Sequence, residues 1–185
     1  MNSLFLRSAI WIRFAAVACL AITLLVSSTA AFGQAKTKEE EDKDKIPDPE
    51  NVSVETSDGV AIKATYYASK LKKKAVPIIM LHGWDGNRGE FHVMASHLQK
   101  QGYAVICPDL RGHGQSLKYK LPNGDTEEFN LEKMKGPDIE KMVLDVEAIK
   151  KFLLEKNNLG ELNIEALCVV GAHLGCTIAM MWSAA

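Results

Sequence analysis

The chain has 185 residues, with 22 lysines and arginines against 23 acids, which gives a formal net charge of −1. Apolar residues make up 47% and charged residues 24%, close to the averages of soluble globular domains. This composition excludes low-complexity, collagen-like and largely disordered proteins, and the near-neutral charge argues against a strongly basic nucleic-acid-binding protein. The length allows one domain of roughly 150 residues.

Residues 1–35 have the layout of a secretory signal peptide. A basic start without acids precedes an almost uniformly apolar stretch at 14–26, and small residues follow. Gly33 and Ala35 place small side chains at the −3 and −1 positions of a cut after Ala35. The alternative is a membrane anchor that stays attached, since residues 14–32 are uncharged, but the second half of this stretch is too polar for a strong spanning helix. We therefore expect an exported protein, periplasmic or secreted, without a stable membrane span after cleavage.

The next segment, residues 36–50, carries four lysines, seven acids, two prolines and a single apolar side chain, Ile46. A segment of this composition cannot bury a hydrophobic face, so it is predicted to be a charged, disordered linker. The folded domain is then expected over residues 51–185.

The cysteines do not indicate a disulfide framework. Cys19 would leave with the signal peptide, and the three that remain, Cys107, Cys168 and Cys176, are an odd number. Cys107 and Cys168 stand in apolar runs, which predicts buried free thiols within strands.

The hydrophobic pattern of the remaining chain predicts alternating strands and helices. Segments that alternate polar and apolar residues predict a β-hairpin, continuous apolar runs predict strands covered on both faces, and apolar residues at i, i+3, i+4 and i+7 predict amphipathic helices. In chain order the predicted elements are a hairpin over 52–67, a strand over 75–81, a helix over 88–101 with Phe91, Met94, Ala95 and Leu98 on its apolar face, a strand over 103–107, a long loop over 109–136, a helix over 137–155, a strand over 164–170 and a helix from 176 onward. This order predicts an α/β fold with a doubly wound, mainly parallel sheet and a functional site beyond the carboxyl ends of its strands.

Three short motifs follow the three predicted parallel strands. They are His82-Gly83-Trp84, the segment from Asp109 to Ser116 with Arg111, Gly112, His113 and Gly114, and Gly171-Ala172-His173-Leu174-Gly175. Their order and spacing resemble the N-terminal half of the α/β-hydrolase superfamily, most closely its esterases, lipases and serine peptidases. The resemblance covers roughly residues 51–185 and is specific for the fold but unspecific for the substrate. It implies a small-molecule ester or amide, or an apolar ligand, as binding partner.

The third motif corresponds to the tight strand-to-helix turn that carries the nucleophile in such enzymes. Residues two before and two after the nucleophile must be small because the helix packs close to the strand there, and Gly171 and Gly175 meet that demand. The resemblance implies that the backbone amides of Trp84 and Leu174 form the oxyanion hole.

The sequence departs from the family at the decisive position, where His173 replaces the expected Ser, Cys or Asp. Only ten residues follow Gly175, so the later strands that carry the family's acid and base are not in this sequence. We therefore expect an α/β-hydrolase fold that stops after the nucleophile turn and is catalytically degenerate. The alternatives are a non-catalytic relative that binds a ligand or partner, and a non-functional fragment.

A metal site is a weaker interpretation of the histidines. His82, His113 and His173, with Asp85 or Asp109, could supply ligands, but their spacing matches no local metal motif, and no cofactor is predicted. The family pattern explains His82 and His113 as residues that hydrogen-bond backbone groups of their loops.

Six other side chains receive structural interpretations. Asp109 and Arg111 are expected to brace their loop, because half-buried charges need partners. Two further histidines, His92 and His97, are expected at the surface of the predicted helix. Trp84 and Trp182 could line a pocket, although core packing is the commoner fate of tryptophan.

Overall fold

The computed structural model describes residues 45–185. The predicted signal peptide, residues 1–35, and residues 36–44 of the predicted linker lie outside these residues. No helix among residues 45–185 combines the length and the apolar character needed to cross a bilayer.

The domain is built on one five-stranded mixed sheet. Its strands are β1 (Glu50–Glu55), β2 (Ala61–Tyr67), β3 (Pro77–Leu81), β4 (Ala104–Pro108) and β7 (Cys168–Gly171), in the spatial order β1-β2-β4-β3-β7. The first two strands form the predicted hairpin, and β2 pairs antiparallel with β4. The last three, β4, β3 and β7, run parallel, so their carboxyl ends meet at one edge of the sheet.

Helices cover both faces of this sheet. They are α1 (His92–Lys100), α2 (Gly136–Glu140), α3 (Met142–Asn158) and α4 (Leu174–Ser183), with short 3-10 turns at Lys72–Lys74, Arg88–Phe91, Leu131–Lys133 and Ile164–Ala166. Alternate residues of the buried strands point to opposite faces. Ile78 and Met80 belong to the cluster that includes Ala95 of α1, whereas Ile79 and Leu81 pack in the larger cluster with residues of α3 and α4. The predicted doubly wound α/β fold is confirmed.

Several predicted elements differ in detail. The predicted helix over 137–155 is divided at Lys141 into α2 and α3, although the backbone of Lys141 stays right-handed helical (φ −66°, ψ −14°). The predicted strand over 164–170 begins only at Cys168, because the side chain of Asn163 accepts the backbone N–H of Glu165 and starts a 3-10 turn. The predicted loop over 109–136 contains a small hairpin, β5 (Lys118–Lys120) with β6 (Thr126–Glu128).

The inner face of α1 was also predicted incompletely. Ala95 is buried as expected, but Met94 is exposed, and the polar Gln99 is buried in its place. The amide of Gln99 donates to the backbone oxygens of Pro47 and Ala68, both at 2.9 Å, and these bonds satisfy its buried polar group. The end of the predicted linker is therefore not a free solvated segment: Pro47 is held on the domain, and β1 begins at Glu50.

The prediction for the cysteines was right for one thiol and wrong for another. Cys107 in the central strand β4 is buried, and burial raises its pKa to about 12. Cys168 is exposed, because β7 pairs with β3 on one side only within the described residues. Cys176, in the first turn of α4, is exposed as well.

Candidate active site

The three sequence motifs meet at the carboxyl edge of the parallel strands. His82 directly follows β3, Asp109 follows β4, and His173 stands two residues after β7. A side chain built on Gly83 would place its Cβ 3.3 Å from the Cβ of His173, so the first and third motifs are in contact. The rings of His82 and His113 lie 5.1 Å apart, which joins the second motif to the first.

His173 occupies a strained turn between β7 and α4. Its backbone has φ 48° and ψ −113°, a left-handed conformation that costs free energy for any residue with a Cβ. The turn is closed by the Gly175 amide, which donates to the carbonyl of Ala172 at 2.8 Å, and by the Cys176 amide, which donates to the carbonyl of His173 at 3.1 Å. The side chain of His173 is exposed at the edge of the sheet.

Two glycines allow α4 to pack directly on the strands. A Cβ on Gly171 would overlap the backbone of Gly175 and Cys176, and a Cβ on Gly175 would overlap the carbonyls of Leu81 and His82. Real Cβ atoms do not approach backbone so closely. This strand–turn–helix unit therefore requires small residues on both sides of His173, which is the steric pattern of a nucleophile elbow.

Two backbone amides close to the elbow donate to no acceptor among residues 45–185. Leu174 is the first residue of α4, where an N–H has no intrahelical partner, and Trp84 lies in the turn that the Gly86 amide closes on the carbonyl of Gly83 at 3.1 Å. Within residues 45–185, neither the Trp84 amide nor the Leu174 amide donates to another protein group. The positive end of the α4 helix dipole adds to the positive electrostatic potential of these two N–H groups. Such donors are suited to the oxygen of a bound carbonyl or carboxylate.

The His82 ring is fully buried and binds backbone groups with both of its nitrogens. Nδ1 lies 2.6 Å from the carbonyl oxygen of Gly83, and Nε2 accepts the backbone N–H of Leu110 at 3.0 Å. This pattern requires the neutral tautomer with the proton on Nδ1. Burial lowers the pKa of His82, against the opposing effect of its hydrogen bond to Gly83. The ring therefore ties the turn after β3 to the loop after β4.

The His113 ring lies next to His82 and against the indole of Trp84. Its Nδ1 is 2.9 Å from the carbonyl oxygen of Arg111, and its centroid is 5.2 Å from that of the indole in an edge-to-face arrangement. Nε2 is buried and has no hydrogen-bond partner within the described part of the chain. Through these contacts His113 helps to position the turn that carries the Trp84 amide.

Asp109 binds the segments on either side of it. Its buried carboxylate accepts the Arg88 amide at 2.7 Å, the Arg88 guanidinium at 2.9 Å and the Gln115 amide at 2.8 Å. Gly114 (φ +52°) passes so close to this carboxylate that a Cβ would overlap it, and Gly112 also has a positive φ (+78°). Asp109 therefore folds its loop, and both of its carboxylate oxygens accept hydrogen bonds from protein groups.

Arg111 connects three parts of the fold. Its backbone N–H and its Nε both donate to Asp145 at 2.9 Å, and its two terminal nitrogens donate to Asp58 at 2.7 and 3.0 Å. Burial raises the pKa of the Asp145 carboxyl to about 6, although the hydrogen bonds from Arg111 act in the opposite direction. Arg111 therefore fixes the second motif to α3 and to the β1–β2 turn.

Sequence analysis predicted the bracing role of Asp109 and Arg111 but missed their partners Asp58, Arg88 and Asp145. A signal for Asp145 existed: Met142, Asp145, Val146 and Ile149 follow the i, i+3, i+4, i+7 spacing of one helix face, and all four are buried. A carboxylate on an apolar face needs a buried cation, and Arg111 supplies it.

The remaining side chains named in the sequence analysis make mainly structural contacts. His92 and His97 are exposed on α1, and the Nδ1 of His92 is 2.9 Å from the hydroxyl of Tyr67. Trp84 packs partly buried against the larger core cluster, and the indole of Trp182 donates to Glu147 at 3.0 Å. Ser116 is buried, and its hydroxyl accepts the backbone N–H of Lys63 at 2.8 Å.

The histidines do not assemble a metal centre among residues 45–185, where no group of three His, Cys, Asp or Glu side chains is placed to hold an ion. The geometry explains this for His82, since both of its nitrogens already bind backbone groups.

A mixed sheet with parallel strands β4, β3 and β7, followed by a strained strand–turn–helix elbow, is the arrangement of a hydrolase-type fold, and comparison with known proteins agrees. The family model described as alpha/beta hydrolase fold matches residues 76–185, more than half of the chain. The chain therefore belongs to the alpha/beta hydrolase fold family.

Individual relatives are distant and longer. The chain is 31% identical over 108 residues to the AB hydrolase superfamily protein YisY of Bacillus subtilis (strain 168), a match covering 58% of this chain and 32% of that protein. Among solved structures it resembles the alpha/beta hydrolase GrgF from Penicillium sp. sh18, with a TM-score of 0.59, 14% identity and coverage of 75% of this chain and 42% of that one. It also resembles the Pyrococcus furiosus esterase Pf2001, with a TM-score of 0.51, 24% identity and coverage of 72% and 45%. These structures support the fold, and the matched part of the chain spans 32% to 45% of the length of these relatives.

Proposed function

We propose that this protein binds the carbonyl or carboxylate group of a small ester, amide or acid at the elbow and does not hydrolyse it through a serine-type covalent intermediate. The observation that carries the proposal is His173 itself, an imidazole at φ 48° in a turn whose flanking glycines permit close packing of the helix. The amides of Trp84 and Leu174 would polarise the bound oxygen.

The chemistry of the elbow follows from the side chain at its tip. An imidazole has no hydroxyl from which an ordinary acyl-enzyme ester could form. It can, however, accept a proton from a water molecule that attacks a polarised carbonyl. We therefore expect binding with at most slow, non-covalent hydrolysis. Esterases occur among the structural relatives, such as Pf2001, which supports an ester or amide as the ligand class.

Amide NMR tests the binding step directly. Titrating the 15N-labelled chain with butyrate, which has the carboxylate of an ester-hydrolysis product, should shift the Trp84 and Leu174 amides more than any others. The His173→Ala variant should keep these shifts, because the donors are backbone groups. Largest shifts at the far side of the sheet, for example on α1, would overturn the proposal.

A hydrolysis assay separates a weak enzyme from a pure binding protein. If His173 activates water, His173→Ala should lower the slow hydrolysis of an aryl ester by about 10-fold or more. The matched control is His97→Ala, which removes another exposed histidine, on α1, and should leave the rate unchanged. Equal rates in all three proteins would exclude catalysis by His173, and the carbonyl-binding role alone would remain.

We also propose that the protein is exported after cleavage close to Ala35. The basic, apolar and small-residue order of residues 1–35 supports this. Mass spectrometry of the mature protein should find an N-terminus at or near Lys36. A chain that keeps Met1 and fractionates with the cytosol would contradict export.

A further inference from the structure

Four lysines lie together at the end of the molecule opposite His173. Lys70, Lys72, Lys73 and Lys74 are all exposed in the turn that leads into β3, at the amino-terminal edge of the parallel strands. We call this group the lysine edge. Within residues 45–185 none of these four side chains pairs with an acid, whereas Lys118 and Lys120 at the other end pair with Glu128 and Glu55.

Exposed apolar side chains lie among these lysines. Leu71 is 44% exposed and contacts Gly102, whose neighbour Tyr103 is also exposed just before β4. The stem of Lys73 contacts Gly160, and the adjacent Leu159 is 71% exposed. Cations interleaved with leucine and tyrosine are the surface pattern of proteins that lie on a lipid headgroup layer.

The chain also enters the domain at this edge. The buried side chain of Gln99 holds Pro47 beside Ala68, which follows the last residue of β2. Because β2 runs antiparallel to β4, its end lies at the amino-terminal edge of the parallel strands. Pro47, near the start of the described residues, is therefore held at the same edge of the sheet as the four lysines.

We propose that the lysine edge docks on the surface of a bilayer rich in anionic lipids, with Leu71, Tyr103 and Leu159 reaching into the headgroup layer. Each lysine near such a surface strengthens binding roughly five-fold, so four make a substantial contribution. A nucleic acid fits this surface less well, because exposed leucine side chains contribute nothing to phosphate binding. The protein as a whole also has a net charge of −1. Docking in this orientation leaves His173, at the opposite edge of the sheet, open to solvent. The inference is independent of the chemistry proposed for His173.

Lysine acetylation footprinting on the full chain tests the orientation. The protein is mixed with vesicles of phosphatidylcholine alone, or with equal amounts of phosphatidylcholine and phosphatidylglycerol, and mass spectrometry follows the acetylation of each lysine. Anionic vesicles should slow acetylation of the lysine edge several-fold in about 0.1 M salt and much less in about 1 M salt, where the Debye length falls to roughly 3 Å. As internal controls, the exposed Lys133, Lys135, Lys141 and Lys151 should react equally in every sample.

Three results would overturn the proposal. Equal protection of all lysines would show that the docked face lies elsewhere. Protection by phosphatidylcholine alone would show that anionic charge is not recognised. Protection in the free protein would show that another part of this chain covers the lysine edge.

A matched pair of variants tests the contribution of charge. Changing Lys70, Lys72, Lys73 and Lys74 together to glutamine should weaken the preference for anionic over neutral vesicles by at least about 10-fold. The same change at Lys133, Lys135, Lys141 and Lys151, which removes equal charge, should have little effect. Equal losses in both variants, or tighter binding of the wild-type protein to single-stranded RNA than to anionic vesicles, would contradict the proposal.

Discussion

Arg111 donates two hydrogen bonds to the fully buried carboxylate of Asp145, one from its backbone N–H and one from its Nε, both at 2.9 Å. The contact connects the loop after β4 to α3, and the terminal nitrogens of Arg111 extend it to Asp58 in the β1–β2 turn. The loop whose His113 ring packs against the Trp84 indole is thus held by a buried ion pair as well as by apolar contacts.

Removal of one partner of this buried pair should lower the free energy of unfolding substantially. The Asp145→Ala variant leaves the buried guanidinium with only the partly exposed Asp58, and we expect the free energy of unfolding to fall by about 3 kcal/mol. The control is Glu128→Ala, which breaks the exposed pair with Lys118 and should cost less than about 1 kcal/mol. Urea unfolding followed by circular dichroism measures both values. Equal losses in the two variants would mean that Arg111 does not depend on Asp145.

The close packing at the elbow predicts a large effect of a single methyl group. In Gly175→Ala the new Cβ would overlap the backbone carbonyls of Leu81 and His82, so we expect a loss of about 1–3 kcal/mol or more. The control Gly136→Ala places a methyl group in open space at the start of α2 and should change stability by less than about 1 kcal/mol. Comparable stability of the two variants would show that α4 does not pack on β3 as described.

The burial of His82 predicts a specific pH dependence. Its folded-state pKa lies below the ordinary value of 6.5, so below that pH the unfolded chain binds more protons than the folded one. His82 therefore stabilises the fold fully above about pH 6.5, and stability falls as the pH drops below it, by at most about 1.4 kcal/mol per pH unit. Imidazole NMR should show the His82 ring still neutral as the pH falls just below 6.5. Protonation of this ring at or above pH 6.5 would contradict the assignment.

The outer side of β7 predicts association of this 185-residue chain. Among residues 45–185 no strand pairs with that side, and Val170 on β7 and Met180 on α4 are exposed. Unpaired apolar strand edges promote pairing between chains. Analytical ultracentrifugation should detect concentration-dependent oligomers, and Val170→Lys should reduce them more than Val93→Lys on α1. A chain that stays monomeric at every concentration and unfolds cooperatively would exclude self-association.

Much of the fold follows from local pattern alone. The apolar runs before His82 and Asp109 correctly predicted β3 and β4, because strands covered on both faces leave a continuous hydrophobic signal. The third parallel strand, β7, begins four residues later than predicted, because the side chain of Asn163 caps a 3-10 turn before it. The exposure of Cys168 was not predictable, because an apolar run does not reveal whether its strand lies at the sheet's edge.

The site was predicted as three motifs, and the contacts between them came from the structure. The close approach of Gly83 to His173 depends on β3 and β7 being neighbours in the sheet. That strand order does not follow from any local sequence pattern. The same holds for Asp58 and Asp145, which lie far apart in the sequence and meet only at Arg111.

We propose that the elbow offers donors for a carbonyl oxygen but, within the described residues, no activated nucleophile. Outside the elbow, Ser116 is buried and hydrogen-bonded, and the hydroxyl of Ser183 donates to the carbonyl of Met180. Within the described residues, neither His82 nor His113 has an accessible nitrogen free to act as base for a serine at position 173. Loss of such a group typically costs about 10⁴-fold or more in rate.

The most direct measurement is labelling with a fluorophosphonate probe, which reacts with activated serines, analysed by intact-mass spectrometry of the 185-residue chain. We predict no labelling of the wild-type chain and none of His173→Ser, because neither His82 nor His113 has an accessible nitrogen free to serve the new hydroxyl as a base. Stoichiometric labelling of any serine in the wild-type chain would contradict the claim.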